Sequence, residues 1–142
     1  NLFNLMILTK VDYTKFFRIL SSIPQNVCSL KESFYQPITK NIELSWENWL
    51  TSWRNAINKE NYFKDISKSM LLINPKYTWR EWLVAQAYET AEIGDFSLLK
   101  DLQTVFNDPY GTQSIKIDEK YDSLKPDKYF NVGGISHYSC SS

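Results

Sequence analysis

Residues 74–106, NPKYTWREWLVAQAYETAEIGDFSLLKDLQTVF, decide how the chain is read. Asn74 is a residue type that caps helices, its side-chain oxygen accepting from an orphan N–H of the first turn. Pro75 fits the first helical position, where its fixed φ is already correct and its missing N–H costs nothing. Trp79, Trp82, Leu83, Ala87 and Ala91 follow at helical spacing. Gly94 can close that helix in the left-handed conformation without a Cβ clash. Asp95 then caps a second helix with Leu98, Leu99, Leu102, Val105 and Phe106 on its apolar side, and Asn107-Asp108-Pro109 ends it. With only Gly94 and Asp95 in between, the spacing predicts an antiparallel helical hairpin over 74–110.

Upstream, residues 1–73 read as a further helical segment. Asp12 is positioned to cap a helix carrying Tyr13, Phe16, Phe17 and Leu20, which must stop near Pro24. Ser29 and Glu32 have the spacing of a capping box before a short helix through Phe34. Ser45 is expected to cap a stronger helix whose Trp46, Trp49, Leu50, Trp53 and Ile57 form one apolar stripe. A helix over 61–73 would use Phe63, Ile66, Met70 and Leu71. Downstream, 111–142 lose the period. They read as an irregular extended tail lying over the body through Tyr121, Tyr129 and Phe130.

Glycine placement supports an all-α class. Of four glycines only Gly94 precedes residue 111, whereas an all-β domain needs turn punctuation every 8 to 12 residues or so. At 142 residues the chain is one domain or part of one, able to bury about 70% of its unfolded surface.

Sixteen basic and sixteen acidic residues cancel. Nucleic-acid binders carry a basic excess, so nucleic acid is not an expected partner. The first half carries three net positive charges and the second three net negative ones, too mild an asymmetry to argue for a membrane or polyanion. The longest uncharged run, 129–142, is short and polar and cannot span a bilayer. Because the sequence starts at Asn1, we expect a cut or processed chain whose targeting signal, if any, lies upstream.

Four chemistries suit residue types present in the chain. A phosphate cradle needs closely spaced glycines between a strand and a helix. Gly133-Gly134 has neither neighbour and reads as a turn. Zinc needs about four ligands in close pairs, and His137 with Cys140 supplies one pair, Cys28 being more than a hundred residues away. His137 could lower the Cys140 thiol pKa, yet the nearby C-terminal carboxylate opposes it, and a terminal tail lacks the rigid support catalysis needs. The tryptophans Trp46, Trp49, Trp53, Trp79 and Trp82 could form a ligand cage, but helical spacing favours core. Arg80, Glu81 and Gln86 read as a solvated face, with a buried Arg80 paired to a carboxylate as the alternative. From residue chemistry alone the chain is a helical module with no active site.

Four stretches nevertheless resemble, in order, the C-terminal signature of the selenoprotein O family. They are Asp12-Tyr13-Thr14-Lys15-Phe16-Phe17-Arg18; Asn74-Pro75-Lys76-Tyr77 with Arg80, Trp82-Leu83, Gln86-Ala87, Ala91-Glu92 and Gly94-Asp95-Phe96-Ser97; Asn107-Asp108-Pro109-Tyr110; and Ser139-Cys140-Ser141-Ser142. Departures are Glu81 in Arg80-Glu81-Trp82, Val84-Ala85, the shortened Lys125-Pro126-Asp127-Lys128-Tyr129, and His137 where selenocysteine-bearing members have a cysteine. The last departure removes an internal Cys-x-x-Cys couple.

The resemblance implies the helical C-terminal portion of a protein-kinase-like fold, in an enzyme that transfers AMP from ATP to protein hydroxyls with Mg2+ or Mn2+. It places the glycine-rich loop, lysine, base and metal ligands in a preceding kinase-like portion, the expected partner of this chain alongside the protein substrates. No catalytic, nucleotide or metal residue is expected between Asn1 and Ser142, so the chain alone should be inert. Asn74, Pro75, Arg80, Gly94 and Asp95 are then structural motif residues, and Cys140 is the redox-regulatory candidate, bridging to a cysteine elsewhere. The family implies a cytoplasmic location in bacteria, a mitochondrial one in eukaryotes, and no secretion. Two alternatives stand beside this reading. One is a helical protein-binding scaffold built on the 74–106 hairpin, although the expected repeats are missing. The other is a thiol sensor using Cys28 and Cys140, a pair we expect not to bridge.

Overall fold

A computed structural model describes residues 2–57 and 63–130. Among them the chain is all-α, with α1 (Leu2–Thr9), α2 (Tyr13–Leu20), α3 (Lys40–Ile57), α4 (Phe63–Ile73), α5 (Glu81–Glu92), α6 (Ser97–Phe106) and α7 (Ile115–Tyr121). Short 3-10 segments occupy Ser29–Ser33 and Asp127–Tyr129. No sheet occurs among the described residues. One isolated bridge pairs Val11 with Phe34. None of the described helices is long and apolar enough to cross a membrane. The chain divides into two compact units, Asn1–Lys76 and Tyr77–Ser142.

The first unit is built on the tryptophan stripe. Trp46 and Leu50 of α3 are buried with Phe16, Leu20, Val27 and Leu30. The Trp46 ring lies 5.4 Å from Phe16 and 5.3 Å from Phe34, and Trp49 and Trp53 continue the seam, stacked at 6.0 Å. Trp46 is core, and Trp49 and Trp53 pack half-buried against it in one seam rather than forming a cage. Asp12 caps α2 as its residue type predicts, accepting from the Lys15 N–H at 2.9 Å.

Two helix starts in this unit differ from expectation. Helix α3 begins at Lys40, not after Ser45: Glu43 N–H bonds the Thr39 carbonyl at 2.9 Å, and Ser45 lies mid-helix donating to the Asn41 carbonyl. The earlier start lets Ile42 pack against the core. Ser29 and Glu32 form no capping box. Residues 29–33 are a 3-10 segment with no side-chain cap, and the Ser29 position is its first residue.

The second unit packs α5, α6 and α7 around Tyr77, Leu83, Ala87, Leu102, Val105 and Tyr121, all buried. Gly94, at φ +86°, ends α5. Its N–H bonds the Ala91 carbonyl while Asp95 N–H reaches back to Thr90, the nested pair of a Schellman closure. The Asp95 carboxylate accepts from the Ser97 N–H at 2.9 Å, but it lies one residue ahead of the N-cap position of α6, which Phe96 fills in place of the expected Asp95 without a side-chain cap bond. The Ser97 hydroxyl, and after it this N–H, hold the Asp95 carboxyl below the usual carboxylate range. Residues 93–96 connect the helices, four rather than the two expected.

Asn74 and Pro75 do not start α5. Asn74 N–H instead bonds the Met70 carbonyl at 2.9 Å, closing α4, and Pro75 prevents that helix from continuing. Helix α5 starts seven residues later, with Arg80 as its N-cap and no side-chain bond there. Trp79 consequently sits in a loop, 57% exposed, stacked on Phe106 at 4.3 Å.

The stretch after Tyr110 is not simply extended. Ser114 caps α7 by accepting from the Ile117 N–H, and the helix buries Tyr121. Tyr129 stacks on Trp82 at 5.8 Å, as expected of a covering segment, whereas Phe130 stays about half exposed.

Candidate functional site

The polar groups of each unit converge on helix ends rather than on a cleft. In the first unit α4 ends with carbonyls that no intrahelical N–H can satisfy. Arg18, projecting from α2, supplies the missing donors: one guanidinium nitrogen bonds the Leu71 carbonyl at 3.1 Å and the Asn74 carbonyl at 3.0 Å. The Asn74 side-chain amide donates to Ser21 Oγ at 3.0 Å, and Ser21 is fully buried. A cation at a helix C-terminus also opposes the partial negative charge there. Arg54 acts similarly, donating to the carbonyls of Ile23 and Pro24 at 2.8 and 3.0 Å. Asp12, buried as well as capping α2, accepts from the Tyr35 hydroxyl at 2.8 Å.

In the second unit the node is Tyr77. Its N–H bonds the Pro109 carbonyl at 3.1 Å. Its hydroxyl donates to the Asp118 carboxylate and accepts from the Gln113 N–H at 3.2 Å. Gln113 returns to the chain through the Val105 and Asp108 carbonyls. Burial, then the carboxylate beside it, pushes the Tyr77 phenol up to about 12. The 107–110 turn is closed by Asp108, whose carboxylate accepts from the Gly111 N–H at 2.9 Å.

Among the described residues no three His, Cys, Asp or Glu side chains are placed to hold a metal ion. Gly94 and Gly111 are each consumed by a turn, so neither belongs to a phosphate-cradling loop. Cys28 is exposed. Cys140, His137 and the Gly133-Gly134 pair lie outside the described residues.

The structure places the motif residues as follows. Asn74 and Pro75 terminate α4. Arg80 starts α5, and Gly94 with Asp95 turns the chain from α5 to α6. Sequence reasoning missed Arg18, Tyr77, Gln113 and Asp118. Arg18 and Tyr77 were visible within the quoted motifs, but their partners lie 53 to 56 and 36 to 41 residues away, beyond any local pattern.

What these units amount to is an all-helical scaffold whose recognisable sequence stretches close its helix ends. The model of the family described as "Protein adenylyltransferase SelO" matches residues 1–107, and the chain belongs to that family. Relatives named "Protein nucleotidyltransferase YdiU" agree. The one from Flavobacterium johnsoniae is 30% identical over 151 aligned residues, covering all of this chain and 28% of the relative. The one from Methylobacillus flagellatus is 30% identical, covering 99% of this chain and 28% of the relative. In Thioalkalivibrio sulfidiphilus the identity is 33%, over 89% of this chain and 25% of the relative. The chain thus spans about a quarter of the length of the relatives it matches, and the family is one of nucleotidyltransferases.

Proposed function

We propose that this chain is the bracing helical region of a longer protein adenylyltransferase. The longer polypeptide transfers AMP from ATP, with Mg2+ or Mn2+, to Ser, Thr or Tyr hydroxyls of protein substrates. In that transfer the hydroxyl oxygen bonds the α-phosphorus, pyrophosphate leaves and the hydroxyl proton passes to a base. These steps fall to a kinase-like portion outside this chain: phosphoryl-type transfer is mostly positioning and charge neutralisation, and the resemblance places the groups that do this there. The chain's own contribution is to hold that portion, with Cys140 as a redox latch to a cysteine elsewhere.

The carrying observation is the family match over residues 1–107, coupled to the Arg18–Asn74 tie that joins two of the family's motif stretches into one unit. The test is incubation with ATP labelled in its α-phosphate, comparing the full-length protein with the 142-residue chain. Label is expected on protein with the full-length form only. Robust AMP transfer by the chain alone, or none by the intact protein, refutes the reading.

A further inference from the structure

Helix α1 is out of place on a free surface. Its sequence, LFNLMILT, carries no charge and only Asn4 and Thr9 as polar residues, and a helix so largely apolar belongs in an interior. Met6 and Thr9 are buried, while Phe3, Ile7 and Leu8 are 63%, 77% and 61% exposed. Alongside runs a groove of about 590 Å³ between α1 and α3, floored by Leu5, Leu8 and Trp49 and edged by Asn4, Asn48 and Ser52. Leu44, also 61% exposed, lies on the same i, i+4 row of α3 as Asn48 and Ser52. None of these groove and rim residues is charged.

We infer that this face of α1, with the adjoining groove, is the seat of an apolar, uncharged segment from the part of the polypeptide outside this chain. The inference rests on the reading that the chain belongs to a longer protein, and it names the surface by which it is held. Two observations select that occupant. The relatives are more than three times as long as the stretch this chain matches, so most of a family polypeptide lies elsewhere and must pack somewhere. The patch is also small: its exposed apolar side chains are Phe3, Ile7, Leu8 and Leu44, against the roughly 20 to 30 residues, about 800 Å², that each partner contributes to a stable association between separate molecules. A tethered segment needs less contact, because linkage supplies its effective concentration. Loss of charge at the centre is the mark of a permanently buried seam.

The experiment is maleimide labelling of the full-length protein carrying Ile7→Cys, Phe3→Cys or Lys68→Cys, read peptide by peptide by mass spectrometry. Each rate is divided by that of the same cysteine in urea. Lys68 is exposed on α4 and serves as the uncovered reference, and Phe3→Cys guards against a folding defect peculiar to Ile7→Cys. Cysteines at 3 and 7 are expected to label at least tenfold more slowly than the one at 68, independent of dilution. A difference under tenfold overturns the inference. So does protection that disappears on hundredfold dilution, which would assign the seat to a second copy. AMP transfer is assayed on the same preparations: protection without transfer defeats the proposed activity and leaves the seat standing, while transfer without protection does the reverse.

Discussion

Replacing Tyr77 by Phe removes one oxygen from the centre of the second unit and should change both its stability and the pH at which that stability is lost. The ring is 1% exposed, so the apolar packing is retained. What goes is the hydroxyl that donates to Asp118 and accepts from Gln113. A hydrogen bond to a charged group contributes about 1.5–3 kcal/mol, but Asp118 is only half-buried and can recover water, so the expected loss at neutral pH is about 1–2 kcal/mol. The pH dependence has a definite sign. A phenol raised from 10 to about 12 in the folded protein supports folding fully below pH 10, and that support is lost as pH climbs toward 12. Two units correspond to about 2.7 kcal/mol, so the difference between wild type and Tyr77→Phe should close over that interval and reach zero or invert by its end. Urea unfolding followed by far-UV circular dichroism measures this. With a slope of about 1–3 kcal/mol per molar, the variant's midpoint should fall by about 1 M at neutral pH. A difference below about 0.5 kcal/mol there, or one unchanged from pH 8 to pH 12, refutes the assignment of Tyr77 as the node.

Arg18→Met keeps the side chain's stem but strands the Leu71 and Asn74 carbonyls. It should cost about 1.5–3 kcal/mol and show as faster amide exchange at the C-terminal end of α4, with unchanged exchange there counting against the tie. Gly94→Ala meets open space but must hold φ at +86°, so about 1–2 kcal/mol of backbone strain should lower the thermal midpoint, and Gly94→Asn should lower it less. Trp46→Ala empties the centre of the first unit, where Trp46 is fully buried, and should destabilise it by about 3–5 kcal/mol in urea titration.

The apolar stripes were legible because burial imposes a period: Trp46, Leu50 and Leu102 are core where spacing places them. Gly94 was legible because few other residues take that φ. Helix boundaries were less so. Asn and Pro together satisfy the start of one helix and the end of another equally well, and at 74–75 the choice is made by Arg18, more than fifty residues away. Thr39 and Ser45 are both caps by chemistry, and only the packing of Ile42 prefers the earlier one. Helix α7 was hidden because Ile115-Lys116-Ile117-Asp118-Glu119-Lys120-Tyr121 mixes charges into a segment with just two packed positions, Ile117 and Tyr121. A sharper reading would have taken Ser114 as a cap.

The same long-range bonds explain why the family likeness was readable while its chemistry was not. Asp12, Arg18, Asn74, Asp95 and Asp108 lie in the recognisable stretches and each helps close a helix end or a turn, while Tyr77, in the same stretches, ties Pro109, Gln113 and Asp118 together. Such positions tolerate few substitutes, because an orphaned buried carbonyl or N–H costs about 1–3 kcal/mol. A likeness carried by them reports a shared scaffold. It identifies the family to which the helices belong; the proposed activity is therefore tested on the full-length polypeptide, and the proposed seat on α1 is the place to look for how its parts are joined.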